Sequence, residues 1–380
     1  MESKEPNKDS SSFMARCLEL AAQAEGRTAP NPLVGSVIVD AGGIIVAEGY
    51  HKKAGMLHAE AEALQIAGDR ARGATLYVNL EPCSHHGRTP PCAEAIVKAG
   101  IKKVVAAIAD PNPKVAGSGF DLLREHGIEV VLGPLQEEAL WLNRGFLKVQ
   151  TKKLPWLTLK MAATLDGRIA DRQGRSKWIT GEGARHMVQE LRNRYDCVLV
   201  GAGTVKADNP RLNVRELESF DCRDPKKVII DPHLSLDPSY HVLKSDDENK
   251  TIVYHRPGAE PGDQYADCDL VPADIDEDGR IDSRKLLQDL TSRGINTVLC
   301  EGGGKLAANL LLKDLVDEIY WFTAPKLLPD AGAVLSTNSA EELAMADILN
   351  YELLESKRTG EDVLIHLRRK DYKRDAGSMP

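Results

Sequence analysis

His58 and Glu60 stand two residues apart in Leu57-His58-Ala59-Glu60-Ala61-Glu62, and Glu81-Pro82-Cys83 and Cys92 follow further along the chain. One imidazole and two thiolates suit a tetrahedral zinc ion, and three protein ligands leave the fourth position open for water, as a catalytic site requires. A carboxylate beside such a metal can take a proton from the activated water and hand it to a leaving group. His58, Cys83 and Cys92 are therefore the candidate ligands, and Glu60 the candidate proton shuttle. A structural zinc would instead be closed by a fourth side chain, which His85 or His86 offers. The blandest alternative is a core histidine and two unrelated thiols.

A lone His-x-Glu is too common to mean anything, but the order His-x-Glu…Pro-Cys…Cys is the pattern of zinc-dependent base deaminases. The usual Pro-Cys-x-x-Cys is absent. Eight residues, Ser84 to Pro91, separate the two cysteines. The insert is polar and basic, so it reads as a loop that touches an anionic substrate. Glu62 reads as a helix-surface carboxylate, not a second base.

Several elements must position these groups. Apolar spacing predicts a helix from Phe13 to Ala24, after a charged, Ser-rich tail over residues 1–12. Val34 to Val39 and Ile44 to Tyr50 form a hairpin around Ala41-Gly42-Gly43. His58 opens a helix running to Ala67, and its first turn can hold both His58 and Glu60 near one site. A strand from Thr75 to Asn79 leads into Cys83. Pro91 suits the first turn of a helix ending at Ala99, which places Cys92 where the helix N-terminus favours a thiolate. Further strands at 103–107 and 128–132, a helix at 119–126 and a single helix from Pro134 to Leu147 complete a layered α/β/α unit with a mixed sheet.

Basic Lys148 to Lys153 followed by Pro155 mark a boundary near residue 150, giving units of 13–150 and 151–370. The second unit again alternates strands and helices: Trp156 to Ala163 turning back through Arg168-Ile169-Ala170, then Gly181 to Asn193, Asp196 to Gly201, Lys227 to Asp231, Thr251 to Tyr254, Leu286 to Arg293, Thr297 to Cys300, Gly304 to Lys313, Glu318 to Ala324, Tyr351 to Ser356 and Asp362 to Arg368. Its clearest chemical feature is Cys300-Glu301-Gly302-Gly303-Gly304-Lys305-Leu306-Ala307, where a strand ends in glycines and a helix starts. Such a junction lets backbone N–H groups approach a phosphate. The run satisfies Gly-x-Gly-x-x-Gly/Ala literally, but the next strand ends in Phe322-Thr323-Ala324 with no acid for a ribose. A phosphate loop in a different α/β fold fits better than a Rossmann unit.

Composition sets the outer bounds. A chain of 380 residues with 42% apolar and 28% charged residues is ordinary globular protein, long enough for two domains. A net charge of −8 argues against a general nucleic-acid binder. No apolar run approaches the roughly 20 residues needed to cross a bilayer, and the start of the chain is no secretory signal. Seven scattered cysteines read as a metal pair plus buried thiols, which places the expectation in the cytoplasm.

Pro30-Asn31-Pro32-Leu33-Val34-Gly35, His58-Ala59-Glu60 and the run from Glu81 to Cys92 together resemble the bifunctional pyrimidine deaminase/reductases of riboflavin biosynthesis, and the likeness extends over nearly the whole chain. The resemblance implies a cytidine-deaminase-like first domain and a dihydrofolate-reductase-like second domain that uses NADPH. It implies zinc-dependent loss of an amino group from a phosphoribosylaminopyrimidine, then reduction of the ribosyl chain. It points to Ala162, Trp178, Thr204, Asp208 and the loop Gly303, Gly304, Lys305, Leu306, Ala307, Ala308 and Asn309 as cofactor contacts. Ser176, Arg192, Leu212, Arg215 and Glu301 would meet the substrate, and Lys160 would lie near the reacting sugar carbon. In this view Arg192 and Arg215 offer planar forks to a 5′-phosphate. In the first domain Asn31, His51, His85 and Arg88 are the candidates for ribose and phosphate. Related proteins suggest a homo-oligomer.

Overall fold

The computed structural model describes residues 8–84, 90–111, 117–217, 222–244, 249–337 and 344–370, and the chain divides into two compact units after Lys152.

In the first unit, strands β1 (Gly35–Val39), β2 (Ile45–Tyr50), β3 (Thr75–Leu80), β4 (Lys103–Ile108) and β5 (Glu129–Leu132) form a sheet in the order β2-β1-β3-β4-β5. β1 runs antiparallel to β2 and β3, while β3, β4 and β5 are parallel, so the sheet is mixed. β1, β3 and β4 are nearly buried throughout, as apolar strands covered on both faces must be. Two glycines show how the layers close. A Cβ on Gly35 would lie 2.1 Å from the Cys17 carbonyl oxygen of helix α1 (Lys8–Ala22). A Cβ on Gly49 would lie 2.5 Å from the Ala59 carbonyl oxygen of helix α2 (Ala59–Ala67). Gly49 pairs with Ser36, the neighbour of Gly35, so α1 and α2 cover opposite faces. Helices α3 (Cys92–Ala99) and α4 (Ser118–Glu125) complete the layers.

Two expectations change here. The first helix starts at Lys8, inside the residues read as a tail. Phe13 packs its ring 5.1 Å from that of Tyr77, and Ser10 meets the Tyr77 hydroxyl at 3.5 Å, so packing overrides the weak helix propensity of the serines. The single helix expected from Pro134 to Leu147 is two helices, α5 (Gln136–Leu142) and α6 (Arg144–Lys152), broken at Asn143. The Asn143 carboxamide is committed across the fold, to the Leu33 backbone. Because α6 runs to Lys152, the basic stretch is the end of a helix and not an open linker.

The second unit is built on β6 (Trp156–Thr164), β7 (Arg168–Ala170), helix α7 (Glu182–Arg194), β8 (Cys197–Gly201), helix α8 (Ala202–Asp208), β9 (Lys226–Ile230), β10 (Ile252–His255), β11 (Asp269–Pro272), helix α9 (Ser283–Ser292), β12 (Thr297–Cys300), helix α10 (Gly304–Leu312), β13 (Glu318–Ala324), β14 (Val334–Leu335), β15 (Tyr351–Thr359) and β16 (Asp362–Arg369). Among the described residues nine of these strands make one sheet, in the order β11-β10-β9-β8-β12-β6-β13-β16-β15. It is parallel from β11 to β13, and the β15–β16 hairpin closes it antiparallel. β7 does not return along β6. It pairs with β14 in a separate two-stranded ribbon. β11 has a weak sequence signal because it is a four-residue, partly exposed edge strand that ends in a proline. In an open parallel sheet, ligands bind beyond the carboxyl ends of the strands. Here β6, β8 and β12 end at Thr164, Gly201 and Cys300.

Candidate metal centre and candidate reductase site

His58 is the N-cap residue of α2, Cys83 lies just beyond β3, and Cys92 is the first residue of α3. Their ligand atoms all lie within 4.8 Å of one another. His58 Nδ1 is 3.6 Å from Cys83 Sγ and 3.3 Å from Cys92 Sγ. Zinc bonds of about 2.0–2.3 Å at tetrahedral angles place such atoms roughly 3.6 Å apart, so one nitrogen and two sulfurs fit the ion. Among the described residues this is the sole cluster of this kind.

Glu60 sits in the first turn of α2, only 3% exposed. Without an ion, burial, reinforced by the Cys83 sulfur, pushes its carboxyl up to about 7. That is the range in which a group can both accept and release a proton near neutrality. The N-terminus of α3 also serves the second cysteine. The Cys92 backbone N–H donates to Cys83 Sγ at 3.3 Å. Without an ion, hydrogen bonds from Cys92 and then His58 pull the Cys83 thiol down to about 4, while its bond to Cys83 and its own burial push the Cys92 thiol up.

The loop from Pro30 to Val34 reaches this centre. Asn31 Nδ2 is 3.0 Å from His51 Nε2, and His51 Nδ1 is 2.9 Å from the Leu57 carbonyl oxygen. His51 therefore carries its proton on Nδ1 and accepts from Asn31 on Nε2. Burial lowers its pKa, so the ring is neutral. The His51 and His58 rings meet edge-on at 5.4 Å. His85 and Arg88 lie outside the described residues. Glu62 accepts from Tyr50 N at 3.0 Å and pairs with Lys52 at 2.6 Å, so it fixes the end of β2 and is no second base.

Sequence reasoning missed three supporting residues. Glu81 is buried and accepts from the backbone N–H groups of Asp110, Gly117, Gly119 and Phe120. It caps α4 and ties its approach to the end of β3. Gly119 has no room for a side chain there, since a Cβ would lie 2.1 Å from the Pro82 carbonyl oxygen. Asn79 and Asn143 hold the Leu33 backbone. An acid following a buried strand was the legible sign for Glu81; the two asparagines carry no local signal.

In the second unit, Arg192 of α7 and Glu301 after β12 form a two-point ion pair at 2.6 and 2.9 Å, their side chains 9% and 10% exposed. Arg192 Nη1 also donates to the Asn213 carbonyl oxygen. Its fork thus holds Glu301 from one side, close in sequence to the backbone that carries Arg215. Arg215 keeps a largely exposed guanidinium that contacts Asn213 and Glu216. Burial pushes the Glu301 carboxyl up, but Arg192 outweighs it and holds the group below its ordinary value. Lys160 on β6 is pushed below its ordinary value by burial, opposed by Glu301 and Asp208, and its ammonium lies 5.9 Å from the Phe322 ring centre. Ser176 donates to Asp208 at 2.5 Å, joining an expected substrate contact to an expected cofactor contact. Trp178 is 67% exposed, with the Arg185 guanidinium 4.8 Å from its ring, so it is no core residue.

The glycine run lies at the N-terminus of α10. A Cβ on Gly303 would come 3.4 Å from Thr204 Oγ1, and one on Gly304 would lie 2.3 Å from the Leu335 carbonyl oxygen of β14. Further along α10 the expected contacts change character. Leu306 and Ala307 pack into the core, Ala308 is buried, and Asn309 donates to Ser283 Oγ at 2.8 Å. Their side chains face the protein, so a contact between these residues and a ligand would run through the backbone. Leu212 is likewise a core side chain, with φ of 55°. Ala162 packs beside Phe322.

Comparison with known proteins completes the assignment. A model of the cytidine and deoxycytidylate deaminase zinc-binding region matches residues 7–108, and a model of the RibD C-terminal domain matches residues 155–365. The class is thus a zinc-site deaminase joined to a dihydrofolate-reductase-like reductase domain. The chain is 41% identical to the riboflavin biosynthesis protein RibD of Escherichia coli, over 93% of this chain and 98% of that one, and 39% identical to RibD of Aquifex aeolicus, over 94% and 98%. Among solved structures it is similar to Acinetobacter baumannii RibD, form 1, with a TM-score of 0.86 at 41% identity, covering 95% of this chain and 99% of that one. It is also similar to a Thermotoga maritima diaminohydroxyphosphoribosylaminopyrimidine deaminase/5-amino-6-(5-phosphoribosylamino)uracil reductase, with a TM-score of 0.83 at 39% identity, over 95% and 99%. The chain belongs to the RibD family, the bifunctional deaminase/reductases of riboflavin biosynthesis. No helix among the described residues is long and apolar enough to cross a membrane.

Proposed function

We propose that the first unit deaminates 2,5-diamino-6-(5-phosphoribosylamino)pyrimidin-4(3H)-one and that the second reduces the ribosyl chain of the resulting aminouracil with NADPH. The observation that carries the first half is the convergence of His58, Cys83 and Cys92 beside the buried Glu60. Bound there, zinc supplies the Lewis acidity that makes water a nucleophile near neutral pH. The chain's own residues do the rest. Glu60 takes the proton from the attacking water and returns one to the departing amine. Asn31 and the neutral His51 face the substrate beside the metal ligands, and His85 and Arg88 of the basic insert meet its phosphate.

In the second unit, NADPH supplies a hydride when bound. Gly303 and Gly304 bring the N–H groups of the first turn of α10 to a phosphate; a side chain at Gly303 would stand beside Thr204, and Gly304 lets the turn pack directly on the Leu335 carbonyl. Lys305, Ala162 and Trp178 line the same cofactor. Glu301, held by Arg192, accepts hydrogen bonds from sugar hydroxyls. Lys160 supplies a proton to the sugar oxygen as the ring opens, and burial that weakens its hold on that proton suits the task. Arg215 and Ser176 complete the substrate contacts. The same reading includes a homo-oligomer, which light scattering on the purified chain checks.

The deciding experiment is a product assay on the phosphoribosylated diaminopyrimidine, with and without NADPH, combined with metal analysis. Ammonia release without NADPH, ribityl product only with it, and one zinc per chain are expected. Absence of zinc from active protein would overturn the first half, and NADPH-independent formation of the ribityl product the second.

A further inference from the structure

The loop that carries Asn31 is gripped from outside the deaminase motif. Pro30 and Pro32 have no N–H, so this stretch cannot join the sheet by ordinary strand pairing. Leu33 is where it is fastened. Its N–H donates to Asn143 Oδ1 at 2.8 Å, and its carbonyl oxygen accepts from Asn143 Nδ2 at 2.9 Å and from Asn79 Nδ2 at 2.9 Å. Asn79 Oδ1 takes the Gly35 N–H at 2.8 Å, and the Val34 carbonyl oxygen takes the His51 N–H at 2.9 Å. A carboxamide presents a donor and an acceptor at the spacing of a peptide group, so Asn143 reads Leu33 as a neighbouring strand would. Asn143 is 2% exposed and interrupts the α5–α6 run to reach Leu33, 110 positions away.

From Leu33 the contacts continue to the reacting centre. Asn31 is two residues back, donates to His51, and His51 in turn donates to the carbonyl of Leu57, the residue before the metal ligand His58. We propose that Asn143 is a positioning residue of the deaminase: by holding the Leu33 peptide it sets where the Asn31 carboxamide meets the substrate. It touches neither substrate nor metal in this scheme. The inference rests on the reading of Asn31 as a substrate contact, and the test separates the two.

The full-length, zinc-loaded protein is assayed for ammonia release from the phosphoribosylated diaminopyrimidine as Asn31→Ala, Asn143→Ala and the double variant. An interaction used equally in ground and transition states changes KM and spares kcat. Asn143→Ala is expected to raise KM about tenfold, with kcat within about twofold, full zinc content, and unchanged reductase turnover on the deaminated substrate. The double variant should show nearly the KM of Asn31→Ala alone, because a residue acting through Asn31 has nothing left to lose. Asn143→Ser leaves a hydroxyl that can bond one side of the Leu33 peptide and buries no charge; it should fall between wild type and Asn143→Ala, and it carries the same test if the alanine variant does not fold. If Asn31→Ala leaves KM unchanged, the substrate-contact reading fails. If Asn31→Ala raises KM while the Asn143 variants do not, or if the two effects multiply in full, the positioning role is refuted.

Discussion

The two halves of this chain assemble their chemistry in opposite ways. In the first, a histidine, two cysteines and a glutamate all come from residues 58 to 92, each at the start of a helix or just past a strand. In the second, the ion pair at the centre joins residues 109 positions apart, and its neighbours stand on β6, α8 and the loop after them. A metal demands particular atom types at short range, so its ligands are written compactly. A site for a dinucleotide and a sugar phosphate asks for shape and a balance of charges, which any distant elements can supply if the sheet brings their ends together. A local site should fail abruptly when one atom is lost, and a distributed one by degrees.

The sharpest test of that contrast is Glu60→Ala. Removing a positioned acid–base group costs about 10²–10⁴ in rate. The variant should lose deamination by that factor, keep its zinc, and reduce the deaminated substrate normally. Ammonia release near the wild-type rate would break the comparison at its strongest point. Next comes Arg192→Ala, which strands the Glu301 carboxylate in a buried setting. Breaking one partner of such a pair costs about 3–5 kcal/mol. The expected outcome is a lower unfolding midpoint for the reductase half and a partial fall in NADPH oxidation, smaller than the loss of deamination in Glu60→Ala, with zinc content untouched. Arg192→Lys should recover only part, since an ammonium cannot make both contacts at once.

A smaller effect is expected from Gly304→Ala. The added methyl must push against the Leu335 carbonyl, so the first turn of α10 shifts by a fraction of an ångström. NADPH KM should rise about tenfold with kcat largely kept, the sign of lost uniform binding. The smallest effect is on pH. Glu301 sits below its ordinary value in the folded protein, because Arg192 outweighs its burial. Its contribution to stability is therefore present above the unfolded carboxylate value, about 4.3, and is lost as pH falls through the lower folded value. Thermal unfolding of the reductase half followed downward from pH 6 should show this loss, and Glu301→Gln should reduce the slope. A steeper decline in the variant would contradict the pairing.

The same contrast explains what was legible in the sequence. The zinc ligands, Glu60 and the α/β character of both units could be read from residue type, spacing and periodicity. The reductase contacts follow from family likeness alone; the structure adds that Arg192 holds Glu301 and that the side chains of Leu212 and of Ala307 to Asn309 are buried. The break at Asn143 is invisible in the sequence because its cause is a partner 110 residues away, and the early start of α1 is hidden for a like reason, since the hydroxyl that Ser10 meets, on Tyr77, is remote as well.

The way Cys83 and Cys92 are joined has a practical side. Cys92 N–H meets Cys83 Sγ, and Ala93 N–H meets the Cys83 carbonyl at 3.1 Å, so the chain leaves and re-enters the metal centre at a single stitched point. The spacing of the two sulfurs is thereby set by backbone bonds and does not depend on the ion alone, so the protein should keep its thiols in reach of one another when the metal is stripped and take it up again without refolding.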